Sequence, residues 1–325
     1  MNRPLHIGVI GAGAWGIALA CTYSQIADIQ LWSRSEPDFG PGPRRLKRLP
    51  DITLPSNVTV TTRFPDTVDI ILMVVPTQAL RENSLKLARS LPDHVPVITC
   101  CKGLEKGTSL LPLEVMRQTM PHHPLAVMSG PNFAIEVAQG LPTAATLAAS
   151  ERVFVQEMAE KLTTPTLRLY ASMDPLGVQL AGAAKNVIAI GAGVTIGAGL
   201  GENARAALIT RALSELGRLV EAMGGQSRTV YGLAGVGDLI LTCTGAGSRN
   251  YSLGVSLGKG ASLSDVLAKR STVAEGALSA ETLCGLGPRY GVETPVMDAV
   301  NRLLKGEITP AQARDELLDR PSRLE

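Results

Sequence analysis

Two groups of residues carry chemistry by their type and spacing. The first is Gly11-Ala12-Gly13-Ala14-Trp15-Gly16, which follows the apolar run Leu5, Ile7, Val9, Ile10 and leads into Ile17-Ala18-Leu19-Ala20. A strand, a glycine turn and a helix start in that order suit a dinucleotide. Gly11 takes the tight turn, Gly13 lets the backbone approach a pyrophosphate, and Gly16 lets helix pack on strand. The helix N-terminus adds N–H groups and partial positive charge for the phosphates. The alternative is a plain tight turn. The second group centres on Lys185, the single ionisable side chain between Pro175 and Gly201. On a helix, Gly177, Ala181, Lys185 and Ala189 share one ridge. Small neighbours allow close approach of another element or a ligand, and they leave the ammonium poorly solvated. Desolvation moves a lysine pKa down, towards the range useful in acid–base catalysis. The alternative is a lysine that snorkels to the surface.

Further candidates sit in loops. Lys102, beside Gly103 at a strand end, is placed to touch an anion or a carbonyl oxygen, or else is a surface turn lysine. Gly130-Pro131-Asn132 resembles a turn and helix start with exposed N–H groups, suited to an anionic or polar atom. Downstream, Asp238 could charge-stabilise a lysine or cap a helix. Ser248, Arg249 and Asn250 offer donors suited to phosphate, or form an ordinary loop.

The elements that must position these residues follow from the pattern. Strands are expected at Leu5–Ile10, Ile29–Trp32, Val58–Thr61, Ile70–Val75, Pro96–Cys100, Ala126–Met128, Ala144–Leu147 and Leu167–Tyr170. Helical patterns such as Ala79–Ser90 and Leu110–Met120 lie between them. Near-continuous apolar strands alternating with helices predict a parallel sheet covered on both faces. Pro37–Pro55 reads as an irregular excursion whose basic cluster, Arg44, Arg45, Lys47 and Arg48, is a solvated surface or a phosphate grip. After residue 170 strand-like runs largely stop. Asp174-Pro175 and Thr309-Pro310 are helix starts, with a capping side chain before a proline at the first helical position. The expected fold is α/β: residues 1–172 form a Rossmann-like, mostly parallel sheet domain suited to a dinucleotide, and residues 173–325 form an all-α domain that holds Lys185.

The totals agree with that reading. The chain of 325 residues is long for one core, and 45% hydrophobic against 18% charged residues indicates a globular protein. A net charge of +2 argues against a general nucleic-acid binder. Five cysteines, two of them adjacent, show neither a disulfide framework nor metal-ligand spacing, as expected of reduced cytosolic thiols. Arg3 and Ala18-Leu19-Ala20-Cys21 superficially mimic a secretion signal, but its apolar core would not hold three glycines. The most apolar stretch, Val187 to Leu200, is short for a membrane span and reads as a buried helix. No internal repeat is visible.

Together, several of these motifs occur in the order found in one family. Besides the glycine turn they are Lys102-Gly103-Leu104-Glu105, Ser129-Gly130-Pro131-Asn132-Phe133-Ala134, Lys185-Asn186-Val187-Ile188-Ala189, Gly235-Val236-Gly237-Asp238-Leu239, Leu241-Thr242-Cys243-Thr244, Ser248-Arg249-Asn250 and Val273-Ala274-Glu275-Gly276. From residue 5 to about residue 300 the chain resembles the bacterial-type NAD(P)-dependent glycerol-3-phosphate dehydrogenases. The resemblance implies reversible hydride transfer between a nicotinamide cofactor and dihydroxyacetone phosphate, giving sn-glycerol 3-phosphate for phospholipid synthesis by a cytoplasmic homodimer. It implies no metal, no nucleic acid and no integral membrane association. Lys185 is then the proton donor and acceptor. Lys102, Gly130, Asn132, Asp238, Ser248, Arg249 and Asn250 contact substrate. Gly11, Gly13, Ala14, Trp15, Gly16, Arg34, Lys102, Ala134, Arg249, Val273 and Glu275 line the cofactor. Ala14 and Asn132 stand where relatives often carry a hydroxyl.

Cofactor choice has its own signal. An acidic residue ending the second strand would grip the ribose hydroxyl of NAD. This chain has Ser33-Arg34-Ser35 there, with Glu36 slightly late, so NADP(H) is expected to be preferred and NAD(H) tolerated. A β-hydroxyacid dehydrogenase is the nearest rival, although carboxylate substrates would not need Ser248-Arg249-Asn250. A non-catalytic NADPH sensor is another, although it should lack the Lys102, Lys185 and Asp238 set.

Overall fold

The computed structural model describes residues 4–39, 42–245, 247–268 and 275–320. They form two compact units. The first comprises Met1–Glu105 and Leu110–Val178; the second comprises Lys106–Ser109 and Gln179–Glu325.

The first unit is built on one eight-stranded sheet. Its strands are β1 (Leu5–Ile10), β2 (Ala27–Trp32), β5 (Val58–Thr61), β6 (Ile70–Met73), β7 (Val97–Thr99), β8 (Leu125–Ser129), β9 (Thr143–Ala148) and β10 (Leu167–Ser172). A separate hairpin pairs β3 (Arg45–Leu46) with β4 (Leu49–Thr53). All eight expected strands are present, in the order β10-β9-β8-β7-β6-β1-β2-β5. Every pairing is parallel except β8 with β9. Alternation within β6 shows why apolar runs, rather than alternating ones, mark these strands. Ile70 and Leu72 join the core on one face with Ile7, Val9 and Leu19. Ile71 and Met73 join the other with Leu80, Leu87 and Met116. A strand with helices on both faces buries every side chain.

Two expectations for Pro37–Pro55 need correction. The stretch is not wholly irregular, because it holds the β3–β4 hairpin. Nor is its basic cluster uniformly solvated. Arg44 donates to the carbonyls of Pro55 (3.2 Å) and Val58 (2.6 Å) and lies over the Phe39 ring, whereas Arg45, Lys47 and Arg48 are exposed. A guanidinium beside two carbonyls at a strand start is held there by hydrogen bonds.

The second unit is helical. Its longest helix, Pro175–Gly197, starts in the first unit, where the buried Asp174 carboxylate accepts from Gly177 N (2.9 Å), as the capping signature predicts. The apolar stretch is thereby longer than Val187–Leu200. By length and composition alone it would suffice to cross a membrane, but 83% of its most apolar window is buried. Burial, not shortness, marks it as a core helix.

Its partner is helix Arg249–Gly258, and glycine decides the packing. A Cβ on Gly193 would lie 2.1 Å from Tyr251 O, and one on Gly197 would lie 2.3 Å from Val255 O. In return, a Cβ on Gly254 would lie 2.0 Å from Ile190 O, and one on Gly258 would lie 2.4 Å from Val194 O. Two glycines four apart on each helix therefore let the backbones touch. The ridge expected from Gly177 to Ala189 continues in effect one turn on. Helix Pro310–Leu318 opens with the expected cap: Gln312 N donates to Thr309 Oγ1 (3.2 Å) and Thr309 N to Gln312 Oε1 (2.8 Å).

Helix Gly201–Ala222 reaches helix Pro295–Lys305 through Glu215, which is 2% exposed. Its carboxyl accepts from Val296 N (2.8 Å) and Met297 N (3.3 Å), groups left without intrahelical partners in a first turn. Burial pushes this carboxyl up to about 7, against the pull of those two N–H groups and Arg218; Asp298 adds to the rise.

Two outcomes are expected. Gly254→Ala gains about 1 kcal/mol of helix propensity, but the collision with the Ile190 carbonyl dominates and costs about 3 kcal/mol; chemical denaturation measures the difference. For Glu215, a raised folded pKa gives stability that is complete below the unfolded value of 4.5 and lost as pH climbs through about 7. Between about pH 5 and about pH 8 the wild type should lose about 2–3 kcal/mol relative to Glu215→Gln, whose side chain cannot ionise. Parallel stability–pH curves for the two proteins would show that folding does not raise the pKa of Glu215.

Candidate active site

In the first unit the glycine turn lies where the sheet changes direction. From β1 the chain goes to β2 and β5 on one side, then crosses to β6 on the other. Strand ends beside such a switch leave a crevice for ligands. Gly11 N donates to Trp32 O (3.1 Å), and Val74 N donates to Ile10 O (2.9 Å), so the turn is tied to both neighbours. Gly11 has φ +121, a conformation that side chains rarely adopt, and its Cβ would lie 2.8 Å from Val74 O. A Cβ on Gly16 would lie 1.8 Å from Gly11 O. One on Gly13 would meet nothing within 4 Å. Two of the glycines are thus demanded by the protein's own backbone, while the third faces open space. Gly13 precedes helix Ala14–Tyr23, whose first-turn N–H groups have no partner within the helix. These features fit a dinucleotide pyrophosphate.

Ala14 and Trp15 are half-buried and pack against the sheet core. Helix Ala134–Ala138 packs on the glycine-turn helix, where Thr22 Oγ1 donates to Val137 O (3.5 Å). After β2, Arg34 is exposed, and Glu36 Oε1 accepts from Thr62 Oγ1 (2.8 Å). Lys102 Nζ lies 3.4 Å from Gly130 O, joining two of the expected substrate loops. Gly130 is required by packing, since its Cβ would lie 2.8 Å from Ala145 Cα. Asn132 Oδ1 accepts from Thr143 Oγ1 (2.5 Å), so this side chain is already oriented by β9.

In the second unit Lys185 does not snorkel. Its side chain is 11% exposed, and Nζ donates to Asp238 Oδ1 (2.5 Å) and Thr242 Oγ1 (3.3 Å). Thr242 Oγ1 in turn donates to Asp238 Oδ1 (3.2 Å). The lysine is therefore not the uncompensated charge that its apolar helix suggests. A buried carboxylate at this distance favours the protonated ammonium. Asp238 opens helix Asp238–Thr244 directly after a π-helical turn, Leu233–Gly237. In that turn Gly235 has no room for a Cβ, which would lie 1.9 Å from Val230 O. Cys243, in the same helix, is fully buried, and burial pushes its thiol up to about 12, too high for a nucleophile at neutral pH.

Next to Lys185, Asn186 Oδ1 accepts from Asn250 Nδ2 (2.8 Å), and Asn250 Oδ1 accepts from Gly276 N (3.2 Å). Asn186 Nδ2 is buried and has no hydrogen-bond partner among the described residues. Ser248 Oγ accepts from Tyr251 N (3.2 Å) as the cap of helix Arg249–Gly258, and Arg249 is exposed at its start. Val273 lies outside the described residues, and Glu275 opens helix Glu275–Cys284. Among the described residues no group of three or more His, Cys, Asp or Glu side chains could hold a metal ion.

The second unit therefore gathers Lys185 and Asp238 in one cluster and Asn250 beside it; the first gathers Lys102 with Gly130. Sequence reasoning assigned no role to Thr242 or Asn186. The spacing Asp238-x-x-x-Thr242 places both side chains on one helix face and could have revealed the first. Nothing local marks Asn186, whose partner is distant in the chain.

Two family models match the chain: the NAD-dependent glycerol-3-phosphate dehydrogenase N-terminus over residues 6–155 and the corresponding C-terminus over residues 174–315. The chain belongs to the NAD-dependent glycerol-3-phosphate dehydrogenase family. It is 59% identical over 321 residues to the glycerol-3-phosphate dehydrogenase [NAD(P)+] of Gluconobacter oxydans, covering 98% of each chain. The crystal structure of glycerol-3-phosphate dehydrogenase from Coxiella burnetii superposes with a TM-score of 0.90 at 37% identity, covering 97% of this chain and 99% of that one. The yeast glycerol-3-phosphate dehydrogenase structure gives 0.84 at 26% identity, covering 98% and 100%. As a glycerol-3-phosphate dehydrogenase family member, the chain is an oxidoreductase.

Proposed function

We propose that this protein interconverts dihydroxyacetone phosphate and sn-glycerol 3-phosphate with a nicotinamide cofactor, NADP(H) in preference to NAD(H), and that Lys185 moves the proton. The observation that carries this reading is the buried Lys185–Asp238–Thr242 cluster. Gly11, Gly13 and the N-terminus of helix Ala14–Tyr23 would hold the nicotinamide cofactor, which would supply the hydride for the ketone carbon. Lys185, held as ammonium by Asp238, donates its proton to the ketone oxygen, and the product is a secondary alcohol. In the reverse direction the neutral amine takes the hydroxyl proton. Lys102 stabilises negative charge developing on that oxygen, with Gly130 and Asn132 beside it. Ser248, Arg249 and Asn250 hold the substrate's polar groups, and a planar guanidinium suits a phosphate. Asn186 Nδ2 supports a polar ligand nearby, because a buried donor left unmade costs about 1–3 kcal/mol. Ala14, Trp15, Arg34, Ala134, Val273 and Glu275 line the cofactor.

Preference for NADP(H) rests on Arg34. Arg34 is the first charged side chain after β2 and is exposed; Glu36, two residues on, is exposed too, but its carboxylate accepts from Thr62. The family resemblance further implies a cytoplasmic homodimer that supplies glycerol 3-phosphate for phospholipid synthesis.

Lys185→Ala should lower kcat by about 100- to 10,000-fold while NADPH affinity, read by fluorescence titration, stays within about twofold. Removing one partner of a buried pair leaves the other uncompensated, so this variant also loses stability. The double variant Lys185→Met/Asp238→Asn should recover stability without recovering turnover, and near-normal activity in either protein sinks the assignment. For the cofactor, Arg34→Ala should reduce the ratio of kcat/KM for NADPH over NADH by about tenfold. A wild type that favours NADH would show that Arg34 points elsewhere.

A further inference from the structure

The loop that carries Lys102 is held from outside by an ion pair that the proton-transfer chemistry does not use. Arg81, in helix Leu80–Leu87 just after β6, reaches Glu105 in a bidentate pair. Nε donates to Oε1 (2.8 Å) and Nη2 to Oε2 (2.9 Å). Glu105 is 12% exposed and Arg81 34%. Single-contact pairs on an open surface contribute little. A planar fork on a nearly buried carboxylate is different, because it fixes orientation as well as charge.

Two further contacts act on the same few residues. Gln78 Nε2 donates to Leu104 O (2.8 Å), and Glu105 N donates to Leu110 O (2.9 Å). Gly103, between Lys102 and Leu104, has φ +133, so the turn itself is a conformation that side chains rarely adopt. The segment after β6 thus grips both residues that follow the turn, and the turn sets the direction of Lys102.

We infer that Arg81 is a positioning residue for substrate binding: its bidentate pair with Glu105 fixes the Lys102 loop and keeps the Glu105 charge from competing for the Lys102 ammonium. That carboxylate lies three positions after the lysine, with Gly103 and Leu104 between them. Released from Arg81, it would become the nearest counter-ion in sequence for a cation that has to receive an anionic substrate. The inference rests on the proposed role of Lys102 as a substrate contact.

The test compares Arg81→Lys, Arg81→Ala and Arg81→Ala/Glu105→Gln with Lys102→Met. Arg81→Lys keeps the charge and much of the side-chain volume but cannot form the fork. It should raise KM for dihydroxyacetone phosphate by about tenfold, with kcat and the dissociation constant for NADPH, read by titration, both changed by clearly less. Arg81→Ala should have the larger effect. Low-millimolar guanidinium should partly restore its KM, and the Glu105→Gln change should recover part of it too. A loop staple with no bearing on substrate would instead lower the melting temperature and weaken NADPH and substrate together, without rescue. That pattern overturns the inference, as does an unchanged KM in both single variants. If Lys102→Met itself leaves KM unchanged, the role of Lys102 fails, and the inference with it. If Lys102→Met raises KM and the Arg81 variants do not, only the inference fails.

Discussion

A charge placed in an apolar helix must find an opposite charge, and the second unit is arranged around that requirement. Lys185 lies in a helix whose neighbours are alanine, valine, isoleucine and glycine. An isolated ammonium there would cost far more than the net stability of a domain can absorb. Asp238 meets it because a π-helical turn shifts the start of helix Asp238–Thr244, and that turn is possible because Gly235 has no side chain. Thr242, one turn on, donates to the same carboxylate oxygen that takes the lysine. The pairing also favours the ammonium form of the lysine.

The glycine contact between helices Pro175–Gly197 and Arg249–Gly258 extends this arrangement. With backbones in touch at Gly193 and Gly254, the start of the second helix is brought to Asn186, and Asn250 bridges Asn186 to Gly276. Arg249, the expected phosphate grip, is adjacent in sequence to a residue that is fixed by two hydrogen bonds. Close packing thus sets the register of the polar residues beside the lysine.

Much of this was legible in the chain, for reasons that differ by element. The eight strands were visible because burial on both faces leaves apolar runs with little alternation, and the caps at Asp174 and Thr309 because their chemistry is local. The glycine turn was readable because its spacing after an apolar strand is local, and the backbone demands two of its three glycines, Gly11 and Gly16. The β3–β4 hairpin was hidden among prolines and basic residues, and Arg44 turned inward because two carbonyls offered partners that no local pattern announces. Lys185 was conspicuous, but its environment was not: desolvation could be inferred from its neighbours, whereas Asp238 and Thr242 are brought in from elsewhere in the chain. The length of the apolar helix was likewise underestimated, because glycines that look like interruptions in a sequence are contacts in a packed helix.

That helix has a consequence before the protein is folded. A nascent chain exposes Pro175–Gly197 as an apolar segment of 23 residues, long enough for a translocating machinery to treat as a span. Lys185 sits near its midpoint, where a lysine raises the cost of entering a bilayer by about 3 kcal/mol. The lysine that pairs with Asp238 in the folded chain therefore also discourages the unfinished chain from entering a lipid phase. Replacing it with a hydrophobic residue would remove the buried pair and this deterrent at once, and loss of the deterrent would register as mislocalised polypeptide during synthesis.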